Sequence, residues 1–194
     1  MRAAAVRQQL TDIKKHTDHL NRIEMSADRD PLSLLAALPP LPRFLRALLV
    51  ADGTVTLLLE AYFSEAIKVE NLFQAHFEIS AGLPALQLEP GDAAFYREVL
   101  LCGSQTGRIY ARALSVLNPQ ALRADLFESL IKKDVGMGEV LRNSARGSYR
   151  EVLDIQVPGE ELFERTYAVV LDEQPAILIT ERFDARSFAA EPNL

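Results

Sequence analysis

The sequence predicts an α+β fold, an antiparallel β-sheet of about six strands with helices packed on it. Three observations carry this expectation. Apolar residues in the opening stretch recur at helical spacing, while the later chain is a series of apolar runs separated by turn residues. Two of those runs also carry a charged residue on the face that alternation turns inward, Arg97 in one and Glu181 in the other. With 194 residues, 48% of them hydrophobic, the chain can bury a substantial core.

Taken in order, Val6, Leu10, Ile13, Leu20 and Ile23 form a helical stripe with Thr17 in the intervening slot. That stripe is too short for a self-sufficient coiled coil, so packing onto the domain is preferred over pairing with a second copy. The polar run Ser26 to Asp30 precedes Pro31, which opens a helix through Leu38, and Pro39, Pro40 and Pro42 break the chain before a short apolar helix from Arg43 to Val50. Residues 1–44 are therefore assigned to an N-terminal helical extension and 45–194 to the α+β domain. After the Asp52-Gly53 turn, Val55 to Phe63 and Ile67 to Ile79 are expected to be strands joined as a hairpin.

The run from Phe95 to Cys102 is the next strand, and Arg108 to Val116 returns beside it after a turn at Gly103 to Gly107. Asn118-Pro119 suits a helix start, expected to run to about Ile131. Beyond the Gly136-Met137-Gly138 loop and a short helix, strands are expected at Tyr149 to Val157, Phe163 to Leu171 and Ala176 to Phe183.

Side-chain alternation places Arg97 with Phe95, Val99 and Leu101, and Glu181 with Ile177, Ile179 and Phe183. A buried charge costs several kcal/mol unless it is paired or hydrogen-bonded. Either the two pair with each other, or they form a recognition pair in which the arginine fork grips a carboxylate and the glutamate accepts from a hydroxyl or helps move a proton. Backbone amides of Asp52-Gly53-Thr54-Val55-Thr56 and Gly136-Met137-Gly138-Glu139 are available to complete such a site.

A net charge of −6 and a pI near 5.2 argue against non-specific attraction to nucleic acid or to anionic lipid. One cysteine, Cys102, allows no internal disulfide and no multi-cysteine zinc site, and it reads as a buried small side chain rather than a nucleophile. The opening residues resemble no secretion signal and no run is long enough to span a membrane, so a cytoplasmic protein is expected. His16 and His19 have a spacing a metal can use, but no third ligand is evident and a solvated helix surface is the expectation there. His76 alternates with Gln74 and Glu78 on the more polar face of its strand. No catalytic triad, phosphate loop or dinucleotide fingerprint is present.

Read together, Asp52-Gly53-Thr54-Val55-Thr56, Tyr96-Arg97-Glu98-Val99-Leu100-Leu101-Cys102, Gly136-Met137-Gly138-Glu139-Val140-Leu141 and Ile179-Thr180-Glu181-Arg182-Phe183 resemble the chorismate pyruvate-lyase family over residues 45–184. The resemblance implies a chorismate lyase-like sheet with an enclosed ligand site, conversion of chorismate to 4-hydroxybenzoate and pyruvate for quinone or other aromatic biosynthesis, and no metal or organic cofactor. It implies that Arg97 binds the ring carboxylate, that Glu181 lies by the ring oxygen, taken as the ether oxygen, and that Met137 is the hydrophobic loop contact. Thr54 or Val55 is the second loop contact, the alignment leaving both open. Gly136 stands where the family commonly has proline, and the opening forty or so residues have no counterpart in the compact bacterial form. The expected partner is the small-molecule substrate, with no nucleic acid and no membrane, in a monomer or homodimer. The same fold also resembles effector-binding domains of bacterial transcription regulators, so the alternative is a non-catalytic domain for a small aromatic carboxylate.

Overall fold

The computed structural model describes residues 2–23, 30–132, 136–144 and 147–189, with the side chains of 2–7 and 144 excluded. The side chain of Val6 and residues 26–29 of the polar run lie outside the described residues. Six helices are named in chain order: α1 (Arg2–Leu20), α2 (Pro31–Ala36), α3 (Arg43–Val50), α4 (Val55–Phe63), α5 (Ala124–Leu130) and α6 (Met137–Ser144). The strands are β1 (Ile67–Glu78), β2 (Ala93–Gly103), β3 (Ile109–Leu117), β4 (Tyr149–Gln156), β5 (Leu162–Leu171) and β6 (Gln174–Asp184). They form one six-stranded sheet in the order β1-β2-β3-β6-β5-β4, with every neighbouring pair antiparallel. The segment holding α5 and α6 joins β3 to the far edge at β4.

The expected α+β architecture is present, with two local differences. Val55 to Phe63 is helix α4, not a strand, so the predicted hairpin with β1 is absent. The run Val55-Thr56-Leu57-Leu58-Leu59-Glu60 is apolar enough to suit either state, but leucine and glutamate favour a helix, and the buried residues Val55 and Leu59 are one turn apart. Ser64 ends this helix in the left-handed conformation, φ 54°. The second difference lies after Asn118, where the expected continuous helix is split. Asn118 does cap the chain, accepting from the Gln120 amide at 2.9 Å, but only over the short 3-10 turn Pro119–Ala121. Leu122 is then extended and buried, and α5 begins afresh at Ala124.

The sheet separates two apolar layers. On one face, Phe95, Val99, Ile177, Ile179 and Phe183 pack under Leu45 and Leu48 of α3, Leu59 of α4, Leu130 of α5 and Leu141 of α6. On the other, Ile13, Leu20 and Ile23 cover Tyr96, Leu114, Val116, Ala168 and Leu178. Helix α1 is thus docked on the sheet, with Leu10, the second residue of its predicted stripe, left 52% exposed.

His16 corrects the expectation of a solvated surface. It is buried against the edge of Tyr96, ring centroids 6.0 Å apart, because it falls on the same helix face as Ile13 and Leu20. His19 reaches Glu164 Oε1 at 3.1 Å, and Arg182 Nε donates to the other oxygen of Glu164 at 2.5 Å. Among the described residues no group of histidine, cysteine, aspartate or glutamate side chains suits a metal ion.

Burial above all, and then the nearby Arg182 charge, push the His16 pKa from 6.5 down to about 3. Between those values the unfolded chain binds more protons than the folded one, so stability falls as the pH falls, by up to ~1.4 kcal/mol per pH unit. The melting temperature is therefore expected to drop on acidification below pH 6.5 more steeply than in a His16→Phe variant. Equal slopes in the two proteins would contradict this account of α1 docking.

Candidate active site

The site grows from the sheet's helix-covered face. Cross-strand register sets Arg97 of β2 opposite Ser115 of β3, Ser115 opposite Ile179 of β6, and Ile179 opposite Tyr167 of β5. One residue further along β6's inward face, Glu181 sits between Ala113 and Arg165. Arg97 is 1% exposed and Glu181 4%, so both inward charges are where alternation predicts them. They line one cavity, roofed by Thr54, Val55 and Thr56 at the start of α4 and by Gly136, Met137 and Gly138 at the start of α6. All five residues singled out from sequence, Thr54, Val55, Arg97, Met137 and Glu181, meet there. Thr54 and Val55 both face the cavity.

Arg97 and Glu181 do not pair with each other. Arg165 Nε donates to Glu181 Oε2 at 2.8 Å and the Tyr167 hydroxyl donates to Oε1 at 3.1 Å. Burial, and next the Glu181 charge, raise the Tyr167 phenol above its ordinary pKa, which keeps it protonated as a donor. Arg97 Nη1 donates to the Leu130 carbonyl at the end of α5, 3.0 Å away. Each charge is thus fixed by its own surroundings, and the two are held apart on opposite sides of β3.

Arg165 performs a second task. Its Nη1 donates to the carbonyls of Leu48 and Ala51, at 2.6 and 2.8 Å, at the C-terminal end of α3, where Leu48 also accepts from the Ala51 amide. The same guanidinium stands over the Tyr167 ring, 4.9 Å from its centroid. A single side chain therefore orients Glu181 and anchors the segment leading into the Thr54 roof.

The roof is closed. A Cβ added to Gly138 would stand 2.5 Å from Thr54 Cγ2, so glycine is what lets α6 approach α4 this closely. At the cavity rim, Arg150 Nη1 donates to the Asp52 carbonyl at 3.1 Å. The space beneath the roof is about 50 Å³, room for a few waters and too small for a substituted six-membered ring. A ligand of that size requires the two roof segments to part.

Residues 49–189 match the family model described as Rv2949c-like chorismate pyruvate-lyase. The chain belongs to that family. A chorismate pyruvate-lyase from Mycobacterium leprae is 24% identical over 166 residues, which covers 78% of this chain and 79% of that protein. Among solved structures, PhnF from Mycobacterium smegmatis superposes with a TM-score of 0.54 at 10% identity, covering 71% of this chain and 66% of the other. The effector domain of PhnF gives 0.53 at 11% identity, covering 69% and 90%. These structural likenesses speak to the fold, and the family match covers all the elements that build the cavity. No described helix is long and apolar enough to cross a membrane.

Sequence reasoning missed Arg165, Tyr167, Ser115 and Arg150. The alternation that exposed Arg97 was available for β5, where Phe163, Arg165, Tyr167 and Val169 share the inward face, and for Ser115 between Ala113 and Leu117. For β4 the count fails, because an irregularity between Val152 and Asp154 resets the alternation.

Replacing Arg165 with methionine removes the counter-charge from a buried carboxylate and takes a donor from each of two carbonyls at the end of α3. The expected cost is about 3–5 kcal/mol in urea unfolding, the range for breaking one side of a buried ion pair. Replacing Glu181 with leucine in the same protein is expected to recover part of it. A loss below ~1 kcal/mol for Arg165→Met would contradict the assigned role.

Proposed function

We propose that this protein is a chorismate pyruvate-lyase that forms 4-hydroxybenzoate and pyruvate. The observation that carries the proposal is the meeting, in one cavity of a family member, of a buried arginine and a buried carboxylate already committed as a hydrogen-bond acceptor. Arg97 receives the ring carboxylate, for which a guanidinium fork is the best-matched partner. Glu181, held by Arg165 and Tyr167, keeps lone pairs for one further donor.

Atom balance identifies that donor and corrects the ether-oxygen assignment made from the resemblance. Chorismate carries its enolpyruvyl ether on C3 and a hydroxyl on C4, and the product keeps the oxygen on C4. The C3–O bond breaks, with its electron pair leaving on the enolpyruvate oxygen. The C4–H pair becomes the third ring double bond, and in net the proton is taken up by the enolpyruvyl methylene carbon to give the methyl group of pyruvate. Glu181 therefore faces the C4 hydroxyl, which stays as the phenol. Because the ring becomes aromatic, the reaction runs strongly downhill, and holding the two ends of the ring in place supplies the catalysis. Met137 and Val55 provide the apolar cover that excludes water from the breaking bond.

The test is incubation of purified protein with chorismate in chelated buffer, following both products. Equal amounts of pyruvate and 4-hydroxybenzoate are expected, with kcat/KM lowered at least ~100-fold in Arg97→Ala, the scale for a lost charged contact in a buried site. Stabilisation by 4-hydroxybenzoate without turnover would overturn the lyase reading in favour of a binding domain.

A further inference from the structure

The cavity holds a second cation that the reading above does not use. Arg150 of β4 lies opposite Val169 of β5, which places it on the same sheet face as Tyr167. It lines the cavity together with Arg97, although their strands are four apart in the sheet, about 19 Å of backbone separation at the usual strand spacing. The two guanidinium groups therefore bracket the cavity from opposite sides. Glu181, on the intervening strand β6, stands one register step off the row of Arg97, Ser115, Ile179 and Tyr167, Arg150 stands one step off it on the other side, and the Glu181 charge is already matched by Arg165.

Arg150 is only half-buried, and among the described residues its side chain makes one hydrogen bond, to the Asp52 carbonyl, and no ion pair. A guanidinium has five N–H donors, so the Asp52 contact leaves most of its fork for a ligand. Its charge also acts on the Tyr167 phenol, the donor to Glu181, so it is within electrostatic reach of the Glu181 end of the cavity. A structural tie to one loop carbonyl needs no charge. A cation at that end suits a second anionic group.

We infer that Arg150 binds the enolpyruvyl carboxylate of the substrate, so that the site recognises a dicarboxylate by two arginines, Arg97 at the ring carboxylate and Arg150 at the group that departs as pyruvate. This rests on the lyase reading. It also supplies a selectivity that the ring contacts lack. The product keeps the carboxylate held by Arg97 and loses the one held by Arg150, so Arg150 distinguishes substrate from product. Because Arg150 also touches Asp52, the substrate's second carboxylate acts directly on the segment that leads into the Thr54 roof.

The experiment compares wild type with Arg150→Gln and Arg150→Lys, measuring chorismate kinetics and 4-hydroxybenzoate affinity by calorimetry. Arg150→Gln is expected to raise KM for chorismate by roughly tenfold or more, the effect of losing a charge-assisted contact, while the dissociation constant for 4-hydroxybenzoate changes less than about twofold. Arg150→Lys keeps the charge without the fork and is expected to fall between the two; it carries the comparison if the glutamine variant does not fold. Equal weakening of both ligands would mark Arg150 as a loop anchor and overturn the inference, as would an unchanged KM. Wild-type protein that does not turn over chorismate overturns the lyase reading itself, and this inference with it, an outcome distinct from normal wild-type turnover with an unselective variant.

Discussion

The ion pair between Arg165 and Glu181 is the constraint on which the site depends. Both groups are almost wholly buried, and neither would be tolerated there alone. Their union fixes Glu181 as an acceptor pointing into the cavity, while the remaining reach of Arg165 secures the end of α3 through Leu48 and Ala51. Position of the carboxylate and position of the roof are thereby set by one guanidinium. A lysine there, with a point charge and no fork, has no geometry to serve both.

The sheet gives this constraint its precision. Arg97, Ser115, Ile179 and Tyr167 are consecutive partners across four strands, so their spacing is set by the hydrogen-bonded ladder rather than by loops. Helix α1 covers the opposite face, where Glu98 with Arg112 and Glu164 with Arg182 and His19 form paired charges under the helix. Both faces are therefore covered, although each strand of the pair β2 and β3 carries charge on the face away from the cavity. The chain as a whole is acidic, at −6, and does not attract a dianion from a distance. Any attraction for such a ligand would be local, through the arginines that line the cavity.

Much of this was legible in the residues. Period-two counting located Arg97 and Glu181 correctly because β2 is regular across the Arg97 row and β6 across the Glu181 row, and buried charge is costly enough to be informative wherever it occurs. Loop composition pointed to the two roof segments, and of their glycines Gly138 stands where the chain approaches Thr54 closely, while a side chain at Gly53 would meet open space. The failures were equally physical. Leu57, Leu58 and Leu59 suit a strand or a helix until tertiary packing chooses, and here the helix face of Val55 and Leu59 meets the core. His16 was read as solvated because a histidine on a charged helix usually is, whereas this one falls on the docked side. Which cations would pair with Glu181 was not recoverable, because cross-strand register decides between Arg97 and Arg165, and a lone sequence does not contain it.

The most direct measurement is a crystal structure of the protein with 4-hydroxybenzoate. The account predicts the carboxylate on Arg97, the phenol oxygen within hydrogen-bonding distance of Glu181, and the Arg165 pair intact beneath it. A ligand bound the other way round, lying outside the cavity, or accompanied by Glu181 turned away from Arg165 would contradict it.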